Sequence, residues 1–269
     1  MAPVATRRSS GKAARVTVLA VLMTLALGYS SEGGAGADVR DVCGGPGAVV
    51  SSSSPAVGDV SGDRRSDRVA VAHRPQFGRA RPRCLYTLEV TMNGRRLTVP
   101  LREDRAEFRS WNSSDRPVVR ALVDLSGQRG LEIVVEVGSS ASRDYVVVYL
   151  LRGTTLRRLR LPEPDERYPD SFGYGSSLGS GQSGVGCADR PGSGAIVQTS
   201  LSRDSSGRGV RLQRRVLRVN GWSLRPQRGE SRLLSEREAA ALDLPELAAW
   251  GTAFGGLAPF PNCAYVVVR

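Results

Sequence analysis

Asp59, Ser61, Asp63 and Asp67 occupy the first, third, fifth and ninth places of a short turn, with Gly62 at its bend and the Arg65 carbonyl at the seventh place. A hard cation such as calcium takes roughly six to eight oxygen ligands, and alternating short oxygen side chains around a glycine bend let a tight loop supply them. Three carboxylates would offset most of the desolvation of a divalent ion, whereas Arg64, Arg65 and Arg68 add positive charge that weakens its binding. Sixty-five residues on, Asp124, Ser126, Gln128, the Gly130 carbonyl and Glu132 repeat the pattern with two carboxylates. A third turn opens at Asp189, a further 65 residues along, but is one residue shorter and carries Pro191 and Ser193 where acids are needed. The expected ligand set for a structural calcium thus fades from the first turn to the third. The rival reading of each turn is an Asx-turn, in which the aspartate caps its own backbone and holds no metal.

Catalytic patterns are poorer. Gly175-Ser-Ser177-Leu-Gly179 has the spacing of a hydrolase nucleophile elbow, which needs a strand before it and a helix after it. Here it lies within a Gly/Ser tract, expected to be a loop. The single histidine, His73, precedes Ser177 and reads as a turn residue just past a strand. Lys12 is the only lysine and lies in the N-terminal segment, so the rest of the chain offers none for a Ser/Lys dyad, a Schiff base or a phosphate loop. Asp165, Glu166 and Asp170 stand among prolines and read as an exposed loop. The expectation is a noncatalytic protein; the alternative is a secreted hydrolase using Ser177 or that acidic loop.

The elements that position the acid turns repeat with them. Each turn leads toward Val- or Ile-rich sequence, and each is followed by a hairpin glycine in Gly94-Arg-Arg-Leu97, Gly153-Thr-Thr-Leu156 and Gly221-Trp-Ser-Leu224. Two landmarks recurring in one order predict a single supersecondary unit copied three times. Strands are expected near 48–50, 68–72, 85–92 and 96–101; near 118–123, 131–137, 144–151 and 156–161; and near 195–201, 209–219, 222–224 and 263–269. A long loop is expected over 162–186. One helix is expected, capped by Ser235 with Glu238 closing a capping box. The Asp-x-Ser-Gly-Asp turn before Arg-Val-Ala-Val-Ala, and Asp-Leu-Ser-Gly before Glu-Ile-Val-Val, resemble the FG-GAP or VCBS repeat of integrin-type β-propellers and many secreted bacterial proteins. The resemblance covers about residues 55–228. It implies calcium between strands of a blade, in a structural role, with partners met by other loops. The Phe-Gly and Gly-Ala-Pro signatures are missing and three copies are too few for a seven-bladed ring. The expected fold is therefore all-β: a small propeller-like or irregular β-repeat domain of three units over 56–269, preceded by a linker over 38–55.

Arg7, Arg8, Lys12 and Arg15 precede an apolar run from Val16 to Leu27, too short to span a bilayer, and Ala35-Gly36-Ala37 offers a cleavage site. Residues 1–37 read as a signal peptide; ordinary secretory, twin-arginine and degenerate lipoprotein signals all stay open. The mature chain is expected outside the membrane, secreted or in the envelope, with no membrane span. Cys43, Cys84, Cys187 and Cys263 then form two disulfides, for which Cys43–Cys84 with Cys187–Cys263 is preferred because each pair staples a terminal segment to a neighbouring unit. Losing the signal lowers the formal charge from +12 to about +9, nearly all arginine. Arginines interleaved with apolar residues in 156–161 and 210–219 fit the wet face of half-buried strands, and no aromatic interleaving marks a nucleic-acid groove. The expected partner is an envelope polymer or extracellular protein, met through the 162–186 loop, with no specific nucleic acid.

Overall fold

The computed structural model describes residues 50–51, 54–76, 83–101, 117–139, 144–162, 170–177, 181–205, 207–242, 244, 247, 260, 263 and 265–267. Residues 1–37, expected as a signal peptide, and most of the expected linker lie outside them. The first unit comprises β1 (Val50–Ser51) and β2 (Ala56–Gly58), which both pair with β3 (Asp67–Gln76), followed by β4 (Arg83–Met92) and β5 (Arg95–Leu101). The second is β6 (Val118–Val123), β7 (Glu132–Ser139), β8 (Asp144–Arg152) and β9 (Thr155–Arg158). After β10 (Phe172–Ser177) the third follows as β11 (Gly181–Cys187), β12 (Ala195–Arg203), β13 (Val210–Asn220) and β14 (Ser223–Leu234). Each unit is an antiparallel meander. The acid turn joins β2 to β3, β6 to β7 and β11 to β12, and the glycine hairpin joins the last two strands of each unit. The three units form two antiparallel sheets that do not close into a barrel.

Packing explains the sequence of the middle unit. Ile133, Val135, Val147, Tyr149 and Leu151 face the first unit, against Val69, Val71, Leu88 and Val90. The alternate residues Val134, Val146, Val148 and Leu150 face the third, against Ile196, Leu217 and Leu224. A sheet covered on both faces has no wet side, so β7 and β8 read as nearly continuous apolar runs. Burying each such Val or Leu contributes about 1.5–3 kcal/mol. The flanking units have one open face, and β5 accordingly alternates exposed and covered residues.

Several boundaries differ from expectation. The strand expected near 48–50 is present at Val50 and extends to Ser51, and the two residues pair with His73 and Ala72. His73 is not a turn residue: β3 continues through Pro75 to Gln76, and the imidazole is buried beside Tyr86. The expected loop over 162–186 contains β10 and β11. The first half of β10 pairs with β8 and the second half with β11, so it carries the second sheet from the middle unit into the third. Glycine there permits close approach: a Cβ at Gly181 (φ +112°) would lie 1.9 Å from the Leu201 carbonyl oxygen. The strand expected at 222–224 runs on to Leu234.

The C-terminal strand β15 (Tyr265–Val267) pairs with β6, the first strand of the middle unit. Ahead of it, Phe260 packs edge-on against Phe172, and Cys263 is disulfide-bonded to Cys187, as expected. The expected Cys43–Cys84 pairing falls outside the described residues. The short helix α1 (Glu236–Ala240) carries both halves of its capping box, with Ser235 accepting from the Glu238 N–H and Glu238 from the Ser235 N–H. Among the described residues no helix is long and apolar enough to cross a membrane.

Candidate functional site

The acid turns stack on one another at one end of the three units. The Leu131 N–H of the second turn donates to the Asp59 carbonyl of the first at 2.9 Å. The Gly192 and Gly194 N–H groups of the third donate to the Asp124 and Leu125 carbonyls of the second at 2.9 and 3.0 Å. Glycines make this approach possible. A Cβ at Gly127 (φ +65°) would stand 1.9 Å from the Gly192 oxygen, and one at Gly130 (φ +97°) 2.4 Å from the Val60 oxygen.

Within the first turn the carboxylates bind their own backbone. Asp59 accepts from the Gly62 and Arg64 N–H groups at 2.6 and 2.8 Å. Asp67, only 1% exposed, accepts from Val60 and Ser61 at 3.0 and 2.8 Å. Asp63 accepts from the Arg65 N–H and from the Asn93 amide of the β4–β5 hairpin, and these bonds hold its pKa below the ordinary value. The second turn follows the same plan. Asp124 accepts from Gly127 at 3.1 Å, and Glu132, 4% exposed, accepts from the Leu125 N–H at 2.7 Å and from Ser126. Burial raises the pKa of Glu132, opposed by the Ser126 hydroxyl and these two backbone donors.

The oxygens of Asp59, Asp63 and Asp67 face amide donors, and among the described residues no three His, Cys, Asp or Glu side chains gather where an ion could sit. In both acid turns the carboxylates accept from backbone amides of the same turn, which is the geometry of an Asx-turn. In the third turn Asp189 points outward, 66% exposed, toward Arg228 at 3.5 Å.

The expected hydrolase residues stand on different sheets. His73 lies on β3 of the five-stranded sheet, while Ser177 ends β10 in the other sheet, paired with Gly181 on an incoming strand rather than opening a helix. Asp170 accepts from the Leu161 N–H at 3.0 Å, and Asp165 and Glu166 lie outside the described residues.

Comparison with family models, curated proteins and solved structures found no match. Function must therefore be argued from the surface itself.

Sequence reasoning missed two constellations. The first is a half-exposed ion pair: Arg120, at a bulge in β6, donates to the covered Glu136 at 2.6 Å, and the Tyr174 hydroxyl donates to the same oxygen at 3.3 Å. Burial holds the Tyr174 hydroxyl well above its ordinary pKa, so it stays a donor. A glutamate inside the Ile-Val-Val-Glu-Val run was the available signal. This cluster ties β10 to the middle unit.

The second is an arginine ribbon. Residues that face each other across β13 and β14 share a face, and one face carries Arg214, Arg218, Arg225, Arg228 and Arg232. Arg218 and Arg225 stand directly opposite each other. The acids on that face are few: Glu230 pairs with Arg232 at 2.6 Å, and Asp189 reaches Arg228 from the third turn. Beneath them Val197 and Val216 are buried, as expected where arginine stems lie over apolar floor and send their heads to water. Pro226, the charges and a bulge that skips Gln227 are features that blunt an exposed edge strand.

Proposed function

We propose that the chain is a secreted, noncatalytic β-repeat scaffold of the FG-GAP/VCBS kind, whose arginine ribbon holds an anionic polymer of the cell envelope. The observation that carries this reading is the Arg218–Arg225 register, flanked on the same face by Arg214, Arg228 and Arg232. Like charges directly opposite on paired strands destabilise by roughly 0.2–1 kcal/mol, and a polyanion lying along the ribbon removes that cost. The ribbon replaces the 162–186 segment as the contact surface, since β10 and β11 take up much of that segment within the sheet. Export is supported by the N-terminal signal pattern and by the Cys187–Cys263 disulfide. The stacked turns hold the units together and take no part in binding.

The test is retention of the mature chain on immobilised teichoic acid over a salt series, beside a neutral glucan and a mixed-sequence oligonucleotide. Binding that weakens steeply with salt, and falls at least tenfold in Arg218→Ser/Arg225→Ser, is expected. Equal retention of that variant, or an oligonucleotide held as tightly as the polymer, rejects the reading.

A further inference from the structure

The second turn borders a small, partly open polar cavity of about 10 Å³, lined by Ser126, Gln128, Gly130 and Glu132 together with Arg152 from the end of β8, with Arg129 and Val60 beside them. Those four turn residues are the third, fifth, seventh and ninth places, the ones a cation-binding loop directs inward. Arg152 brings a positive charge of its own to the same space. Its Nε and one terminal nitrogen are enclosed without a hydrogen-bond acceptor among the described residues, and its guanidinium carbon lies 5.1 Å from the Trp222 ring centre. Buried guanidinium N–H groups require acceptors. Glu132 can supply one, because a carboxylate has about four lone-pair sites and the Leu125 and Ser126 donors leave capacity over. No direct ion pair joins the two side chains, and a space of roughly 10–15 Å³ with two or more polar partners holds one water.

We propose that a single water molecule bridges Arg152 to Glu132 in the second turn, so that arginine supplies the charge a metal ion would bring to a loop of this shape. An ion entering the cavity would meet the guanidinium at close range, where like charges repel. Calcium is therefore excluded by the chain's own cation. This inference stands apart from the arginine ribbon, and neither arm of its test involves polymer binding.

The test pairs a wild-type crystal grown in millimolar calcium, the weak end of protein sites, with melting curves in calcium and in EDTA. Expected are one water within hydrogen-bond distance of Arg152 and Glu132, and equal Tm in both solutions for the wild type and for Arg152→Lys. Arg152→Met, which keeps bulk but removes the charge, is expected to melt higher in calcium. An empty cavity, a calcium ion within it, or a calcium-dependent wild-type Tm overturns the proposal. Indifference of Arg152→Met to calcium removes its electrostatic half. Should that variant not fold, the wild-type crystal decides.

Discussion

The second and third turns occupy the same place in their units and are held there by different chemistry. In the second, Asp124 and Glu132 accept the N–H groups of Gly127, Leu125 and Ser126, so the turn is self-capped. In the third, the acids are lost or point outward. Its glycine amides bond to the second turn, and Cys187, just before it, is tied covalently to the C-terminal segment. The second turn caps its Leu125, Ser126, Gly127 and Gln128 amides itself and borrows one acceptor, the Asp59 carbonyl. The third has only Ser193 as its own cap and leans on the Asp124 and Leu125 carbonyls and a staple.

Breaking the staple gives the largest expected effect. Cys187→Ser with Cys263→Ser removes a cross-link 76 residues apart in sequence, and urea unfolding is expected to show a loss of about 4 kcal/mol. Gly127→Ala drives a methyl into the Gly192 carbonyl at a positive φ, and a loss of about 3 kcal/mol or failure to fold is expected. The matched control is Gly153→Ala, at φ +59° with open space around it, for which about 1 kcal/mol is expected.

Asp67→Ala leaves two covered N–H groups uncapped; about 2–3 kcal/mol in the same assay is the expected cost. Asp189→Ala is expected to change stability by less than about 0.5 kcal/mol, as an exposed pair does. Equal losses for these two variants would erase the distinction between capped and borrowed turns.

The buried acid also sharpens the contrast through pH. Because burial raises the Glu132 pKa in the fold, the folded state binds this proton more readily than the unfolded one. The stability linked to it is fully present below the ordinary carboxyl value and is lost as pH rises through the raised value. Difference melting of wild type against Glu132→Gln is expected to fall across that window. A flat difference would show that the carboxyl is as well solvated in the fold as out of it.

Legibility in the sequence followed the strength of the local signal. The paired landmarks revealed three units because a glycine hairpin and an acid turn need particular residues wherever they fall, and Ser235 with Glu238 announced the helix start for the same reason. In the first unit the glycine takes the second loop position, after Asn93, rather than the first, so the landmark was displaced by one residue without harm. Strands β10 and β11 were hidden because they are built of Gly and Ser, a composition that reads as loop until a neighbouring backbone requires residues that small. Strand β14 was hidden for the opposite reason. An exposed edge from Arg225 to Leu233 has no buried face to impose alternation, and Pro226 and Gly229 read as breakers. The acid turns were located correctly, but spacing alone could not tell whether their oxygens faced an ion or an amide.

Native-state hydrogen exchange at the Leu131, Gly192 and Gly194 amides, measured in calcium and again in EDTA, tests most directly whether the three turns form one column held by their own backbone. Protection close to that of Val134 and Val147 in the middle unit, unchanged by the chelator, is the predicted result. Rapid exchange at these amides, or protection that appears only with calcium, would contradict it.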